Sequence, residues 1–198
     1  MRTRLSVLFI LFFILSGFQI SKTTTDPYVL DVGHTHIGFD VERFLVGEVS
    51  GRFNDFSSVI SMNGYDLTSL KLQAVIKVNS LDSNNDIRDG HLKGQLWLDA
   101  ETYPDILFSS TSVHKTEKGG YRMSGKFTIK GITNTVEFPI EILGPFKDPT
   151  QKTTIGIKAD FIIDRFDYGI KFNKKMDNGS FFIGNEVKIK IRALAYKE

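Results

Sequence analysis

The chain of 198 residues contains no cysteine. That excludes a disulfide framework, a thiolate-ligated metal and a lipoprotein signal, which needs a lipid-bearing cysteine; an exported domain built this way must be stable without cross-links. No G-x-S-x-G elbow, P-loop or dinucleotide fingerprint occurs, and there is no internal repeat or low-complexity tract, so the usual sequence signatures of an enzyme are missing. An excess of one charge is missing too. Removing Arg2 and Arg4 from the 25 basic residues leaves 23, against 23 acidic ones. A domain so balanced gives no electrostatic case for nucleic acid or for an anionic membrane surface.

The longest apolar run is short and lies at the N-terminus. Arg2 and Arg4 precede Leu5 to Leu15, and Ser16, Gly17, Gln19 and Ser21 follow. The run falls well short of the ~20 residues of a membrane span, so residues 1–21 read as a secretory signal peptide. Phe18, Gln19 and Ile20 interrupt the small-x-small cleavage pattern, which leaves an uncleaved N-terminal anchor as the competing reading. Residues 22–198 are enough for one domain with its own core.

What the chain does have is a period of two. Leu72, Ala74, Ile76 and Val78 alternate with polar residues, as do Tyr121, Met123, Phe127 and Ile129, then Val136, Phe138, Ile140 and Ile142. In the last segment Val187, Ile189, Ile191, Ala193 and Ala195 share one face, and Glu186, Lys188, Lys190 and Arg192 the other. Such strands have one oily and one wet face, and must bring the oily faces together by closing a barrel or stacking two sheets. Four of the 17 phenylalanines (Phe9, Phe12, Phe13, Phe18) lie in the leader, so 13 remain for the domain. They make its interior wide, aromatic and apolar.

Punctuation divides the rhythm. Tyr28–Val32 reads as a first strand, broken at Gly33, and Ile37, Phe39 and Val41 mark a second. Val46 to Met62 is extended, but the apolar spacing slips between Phe53 and Phe56, which predicts a bulge or bend near Asn54–Asp55. Asn63-Gly64 is a turn before the strand Leu70–Val78. Residues 83–95 lose the β pattern; Asn84, Asn85 and Asp86 are caps, and Ile87, His91 and Leu92 have helical spacing, so a short helix interrupted near Gly90 or Gly94 is predicted. Strands follow at Ile106–His114, Tyr121–Lys130 and Val136–Leu143, with turns at Gly119-Gly120 and Gly131 to Asn134. Gly144 to Lys152, with Pro145 and Pro149, reads as a loop. A one-sided strand runs from Ile155 to Ile163, and Arg165 to Phe172 continues it or pairs beside it; Asn178-Gly179 is the last turn signal. Consecutive hairpins imply an antiparallel sheet.

Three polar constellations stand out. His34 and His36 form an H-x-H pair, but His91 and His114 are distant and no cysteine exists, so too few ligands remain for a metal site and none is expected. Arg88, Asp89 and His91 cluster on the helical segment, either as a polar gate over a cavity mouth, as acid–base machinery, or as groups that tie the turn to the sheet. Arg165 and Asp167, two apart, fall where an oily face should continue, so they form either a structural ion pair or a head-group anchor at a barrel mouth.

These segments together resemble the YceI-like polyisoprenoid-binding family of exported bacterial proteins. Asp31-Val32-Gly33-His34-Thr35 resembles the family's opening D-x-x-H-[ST], and Gly51-Arg52-Phe53 its G-x-F step. Arg88-Asp89-Gly90-His91-Leu92 is similar to its R-D-x-H-L turn, and Asp99, Tyr103-Pro104 and Phe108-Ser109-Ser110 to the stretch that follows. The hairpin Gly125 to Thr133 and Arg165-Phe166-Asp167-Tyr168-Gly169 complete the set. Two positions depart from it: Arg43 stands where many members carry a second histidine, and Tyr28 where a tryptophan is usual. The resemblance spans Tyr28 to Tyr196. It implies an all-β, antiparallel up-and-down, lipocalin-like barrel of about eight strands, with one short helical insertion near residues 83–95.

The expectation is then a periplasmic or secreted protein that carries a long-chain isoprenoid, such as a quinone or prenyl phosphate, in an apolar pore. The expected pore residues are Phe39, Val41, Phe53, Phe56, Ile76, Phe108, Phe127, Ile129, Phe138, Ile140, Phe161 and Ile189, with Arg88, Asp89, His91, Arg165 and Asp167 as a polar mouth. No catalytic residue or cofactor is expected beyond the bound lipid itself, and a membrane or membrane-protein delivery partner would complete the picture. A solid-cored scaffold barrel and an enzyme acting on a lipid or quinone are the rivals.

Overall fold

The computed structural model describes residues 25–197; the leader read as residues 1–21 lies outside them. The strands are β1 (Asp26–Leu30), β2 (His36–Arg43), β3 (Gly47–Phe53), β4 (Phe56–Asn63), β5 (Asp66–Lys77), β6 (Leu81–Asp82), β7 (Asp105–Lys115), β8 (Tyr121–Ile129), β9 (Ile132–Lys147), β10 (Thr153–Asp164) and β11 (Ile183–Lys197). One helix, α1 (Asp86–Lys93), lies between β6 and β7. Neighbours pair antiparallel in the order β1-β4-β5-β7-β8-β9-β10-β11, and β11 pairs back to β1. That closes a barrel of eight staves, which removes the unpaired edges an open sheet would expose.

The first two staves are each broken, and the breaks shape the site. Between β1 and β2 a 3₁₀ turn at Val32–His34 is capped by Asp31, whose carboxylate accepts the His34 backbone N–H at 3.2 Å and meets its Nδ1 at 2.9 Å. Between β3 and β4 the chain bends at Asn54–Asp55, where the apolar spacing slips. β11 therefore serves two partners: β1 against Ala195–Lys197, and β2 from Ile183 to Arg192. The outer edge of β3 meets only β6, through Arg52–Asp82 and Phe53–Leu81. Past that contact the wall is open, and α1 lies across the gap.

Alternation sorts the faces. Val187, Ile189 and Ile191 of β11 point inward, while Lys188, Lys190 and Arg192 point outward to Glu48, Asp40 and Asp160. Asp40 is buried beneath Lys190. Burial alone would raise its pKa, but hydrogen bonds from Lys190 and Ser50 outweigh that and hold it below the ordinary carboxylate value.

Three segments differ from the sequence reading. The β8–β9 turn is Lys130-Gly131 alone, with φ of 49° and 73° and Ile129 paired to Ile132. Asn134, read as a turn residue, pairs in the strand with Phe127 and donates its amide to the Asp167 carbonyl at 3.0 Å. β9 runs on through Gly144 and Pro145 to Lys147, because a register shift opposite Thr154/Gly156 accommodates a proline that has no N–H to pair. The helix lies where the sequence predicts it: of the two glycines, α1 runs through Gly90 and stops at Gly94. Finally, Arg165–Tyr168 is a 3₁₀ turn capped by Asp164, followed by irregular chain to β11, rather than a strand.

Candidate lipid tunnel and its mouth

The barrel interior has two unlike halves. At one end Tyr28, Ile60, Met62, Leu70, Ile155 and Ala195 are buried to 5% exposure or less and pack into a plug. None of them borders free space. Beyond the plug a narrow cavity of about 180 Å³ runs up the barrel axis. Its wall is almost wholly apolar; Thr35, Ser57, Ser58 and Arg165 are the exceptions.

The twelve residues picked from the sequence as pore positions all line this cavity. Phenylalanines set its shape. Phe138 stacks on Phe161 with centroids 4.1 Å apart and planes 9° from parallel, while Phe108 meets Phe127 and Phe138 at 6.2 and 5.7 Å. Nearer the open end Phe39 and Phe53 lie 5.9 Å apart. Two glycines make room for these rings: a Cβ on Gly51 would overlap the Phe39 ring, and one on Gly125 the Phe108 ring. The G-x-F step and the β8 glycine thus have a steric cause.

The cavity's upper wall comes from elsewhere. Leu92, Trp97 and Leu98, from the helical insertion, cap the staves; Leu92 follows the helical spacing, but the sequence pattern gives no sign of Trp97 and Leu98 because they follow neither period. Leu72, Ala74, Ala159 and Ile191 also line it, and the alternation of their own strands already placed them inward. Ser58 faces inward between Phe56 and Ile60, and its hydroxyl has no hydrogen-bond partner.

A second chamber, of about 660 Å³, continues from the first and shares Phe39, Val41, Leu92 and Trp97 with it. Arg43, Arg88, His91, Asn85, Gln95 and Glu42 give it a polar rim. Arg43 lies between Phe44 and Phe182, 4.9 and 5.0 Å from their centroids, with its Nε buried and unpaired. Arg43 was noted in the sequence only as a departure from the family pattern.

The five expected mouth residues separate. Arg88 and His91 do line the mouth. Asp89 does not: it is buried and accepts hydrogen bonds from the Ser83 backbone N–H, at 2.9 Å, and from the Ser83 hydroxyl. Arg88 donates to the same hydroxyl at 2.7 Å and to the Ser83 carbonyl. Both therefore bind α1 to the end of β6 rather than to each other.

Arg165 and Asp167 do not share a face, because the chain there is a 3₁₀ turn. Asp167 points to solvent, away from both chambers. Arg165 is 3% exposed and borders the tunnel where Trp97 covers it, 5.3 Å from the ring centroid. It donates to the carbonyls of Ile170 at 2.6 Å and of Phe172 and Gly184 at 2.9 Å. Among the described residues no carboxylate forms a salt bridge with it. Burial lowers its pKa, and nearby Asp164 opposes that shift. Arg165 thus anchors the segment before β11 and leaves a buried positive charge at the tunnel wall.

The histidine pair is divided too: His34 lies in the 3₁₀ turn and His36 opens β2, both exposed. Among the described residues no group of three His, Cys, Asp or Glu side chains converges as a metal site would require.

Comparison with known proteins agrees in extent with this domain. The family model of the YceI-like domain matches residues 28–195. A UPF0312 protein of Staphylococcus aureus (strain bovine RF122 / ET3-1) is 32% identical over 167 residues, covering 84% of this chain and 95% of its own. Among solved structures, a YceI protein of Campylobacter jejuni superposes with a TM-score of 0.69 at 28% identity, covering 85% of this chain and 96% of that one. A polyisoprenoid-binding domain from Saccharophagus degradans gives 0.65 at 16% identity, covering 86% and 98%.

Proposed function

The chain belongs to the YceI-like family, and from that premise we propose that it is a lipid carrier that holds a long-chain isoprenoid in its barrel. The observation that carries this reading is the tunnel: a closed wall of inward aliphatic and aromatic residues, plugged at one end and open at the other. The Saccharophagus degradans domain of the same fold, described as polyisoprenoid-binding, supports the ligand class.

The energetics suit such a cargo. Each methylene removed from water contributes about 0.8 kcal/mol. A chain of several isoprene units gains enough to bind even after its ordering costs are subtracted, with no strong polar anchor. The head group would sit in the polar-rimmed chamber. Arg43, Arg88 and His91 there, with Arg165 below, suit an anionic or carbonyl head such as a prenyl phosphate or a quinone. The same tunnel contains no nucleophile paired with a base, which favours binding over catalysis. The basic and apolar leader favours export, to the periplasm or beyond the cell.

Native mass spectrometry of protein purified gently from its own host tests the reading. A mass increment that solvent extraction identifies as an isoprenoid supports it. Repeated recovery without lipid, together with failure to take up long-chain isoprenoids, overturns it in favour of an empty scaffold.

A further inference from the structure

The exposed apolar residues of this barrel gather at its open end. Leu45 and Val46 form the tip of the β2–β3 hairpin, 51% and 93% exposed. Ile87 and Leu96, on and after α1, and Phe172, in the segment before β11, are also exposed around the second chamber, and Phe181 is exposed in that same segment. At the plugged end the turns themselves are polar apart from Tyr65 at one tip, and Leu143 and Phe146 are exposed on the strand beside another.

The hairpin tip has an unusual composition for its backbone. Phe44 and Leu45 have φ of 55° and 68°, a left-handed conformation that Asn and Gly adopt readily and bulky residues do not. Phe44 has a reason to be there, since its ring meets Phe182 edge-on at 4.3 Å. Leu45 and Val46 have none inside the protein, because they belong to neither core cluster. The turn tolerates strain to hold two aliphatic side chains out into solvent, beside the tunnel mouth.

Charge around the tip complements the apolar residues. Arg43, Arg88, Lys93, Lys171, Lys174 and Lys175 lie on the same three elements. Glu42, Glu48, Asp86, the buried Asp89 and Asp177 oppose them, and Glu48 is already met by Lys188 at 3.7 Å. The domain is neutral as a whole, and the local excess of cations on these elements is confined to residues 171–177, where Lys171, Lys174 and Lys175 outnumber Asp177. That combination suits the interfacial region of a lipid bilayer, where apolar tips insert and Lys and Arg meet the head groups.

We propose that the open end docks on a lipid bilayer, with Leu45 and Val46 inserting as a wedge, so that the tunnel mouth faces the membrane. This deepens the lipid-carrier reading and rests on it for its purpose, though its geometry stands apart. Docking of this kind lets a long apolar chain pass between bilayer and tunnel without crossing water.

The test places an indole at each end of the barrel, in the full chain carrying Trp97→Phe. Vesicles of phosphatidylcholine and phosphatidylglycerol with brominated acyl chains, free of isoprenoid, serve as the probe. The indole of Val46→Trp should be quenched by about half on vesicle binding, and that of Tyr65→Trp should be unaffected. In the chain that keeps Trp97, Leu45→Ser with Val46→Ser should lower vesicle partitioning about tenfold, while uptake of a polyprenol from detergent micelles stays unchanged. Absent quenching at position 46, equal quenching at both ends, or unaltered partitioning overturns the proposal and assigns the tip to a protein partner. If polyprenol uptake survives that result, the carrier reading stands without membrane docking. If position 46 is quenched but polyprenol never enters, docking stands and the carrier reading falls.

Discussion

The plugged and open halves of the barrel are built from the same alternating strands, yet one is solid and the other hollow. In the plugged half β1 and β4 stay within the eight-staved ring, and unbranched or aliphatic side chains such as Met62, Leu70 and Ile155 meet across the axis. In the open half the same two staves break, at Val32–His34 and Asn54–Asp55; β2 stays on β11, but β3 parts from β5 and its outer edge meets only β6. Large rings stand round the space this makes without filling it, Phe108 edge-on to Phe127 and Phe138 stacked on Phe161. Alternation brings apolar faces together in both halves; the strand breaks decide whether they close on one another.

This contrast can be broken by substitution. Ile155→Ala removes atoms from the plug, where nothing can move to refill the space, and should lower the unfolding free energy by about 2–5 kcal/mol in urea titration. Arg165→Met leaves the carbonyls of Ile170, Phe172 and Gly184 without their donor. It should cost about 2–4 kcal/mol, and hydrogen exchange should quicken between residues 170 and 184. Phe161→Ala in the tunnel removes a larger side chain than Ile155→Ala does, but one that already borders open space. It should cost only about 1–2 kcal/mol. A tunnel substitution as costly as the plug substitution would mean that the two halves are equally packed.

The smallest effect concerns acid. The pKa of Asp40 is lowered in the fold, so its contribution is complete above its unfolded value and is lost as pH falls through the lower folded one. Thermal melts should therefore show stability flat from about pH 7 to 5 and declining below about pH 4. Asp40→Asn should make that decline shallower. An equal decline in the variant would place the acid sensitivity elsewhere.

The tunnel wall could be read from the sequence because its residues obey a local rule. Phe127, Ile129, Phe138 and Ile140 point inward by parity alone, whatever the strands pair with. Asn54–Asp55 was readable for the same reason, since a slip in parity is itself local. Which end would be plugged was not, because it depends on how β11 divides its length between β1 and β2. Trp97 and Leu98 follow no period and gain their place only when the insertion folds over the mouth. The parity argument failed at Arg165 and Asp167, where the chain stops being a strand after Asp164.

The length of the preferred ligand is the sharpest probe of the hollow half. Affinity should be measured for a series of polyprenols and polyprenyl phosphates that differ by single isoprene units. If the cargo threads the tunnel, affinity should rise several-fold with each added unit until the cavity down to the plug is filled, then level off. An affinity set by the head group alone, and indifferent to chain length, would contradict a tunnel that holds the lipid.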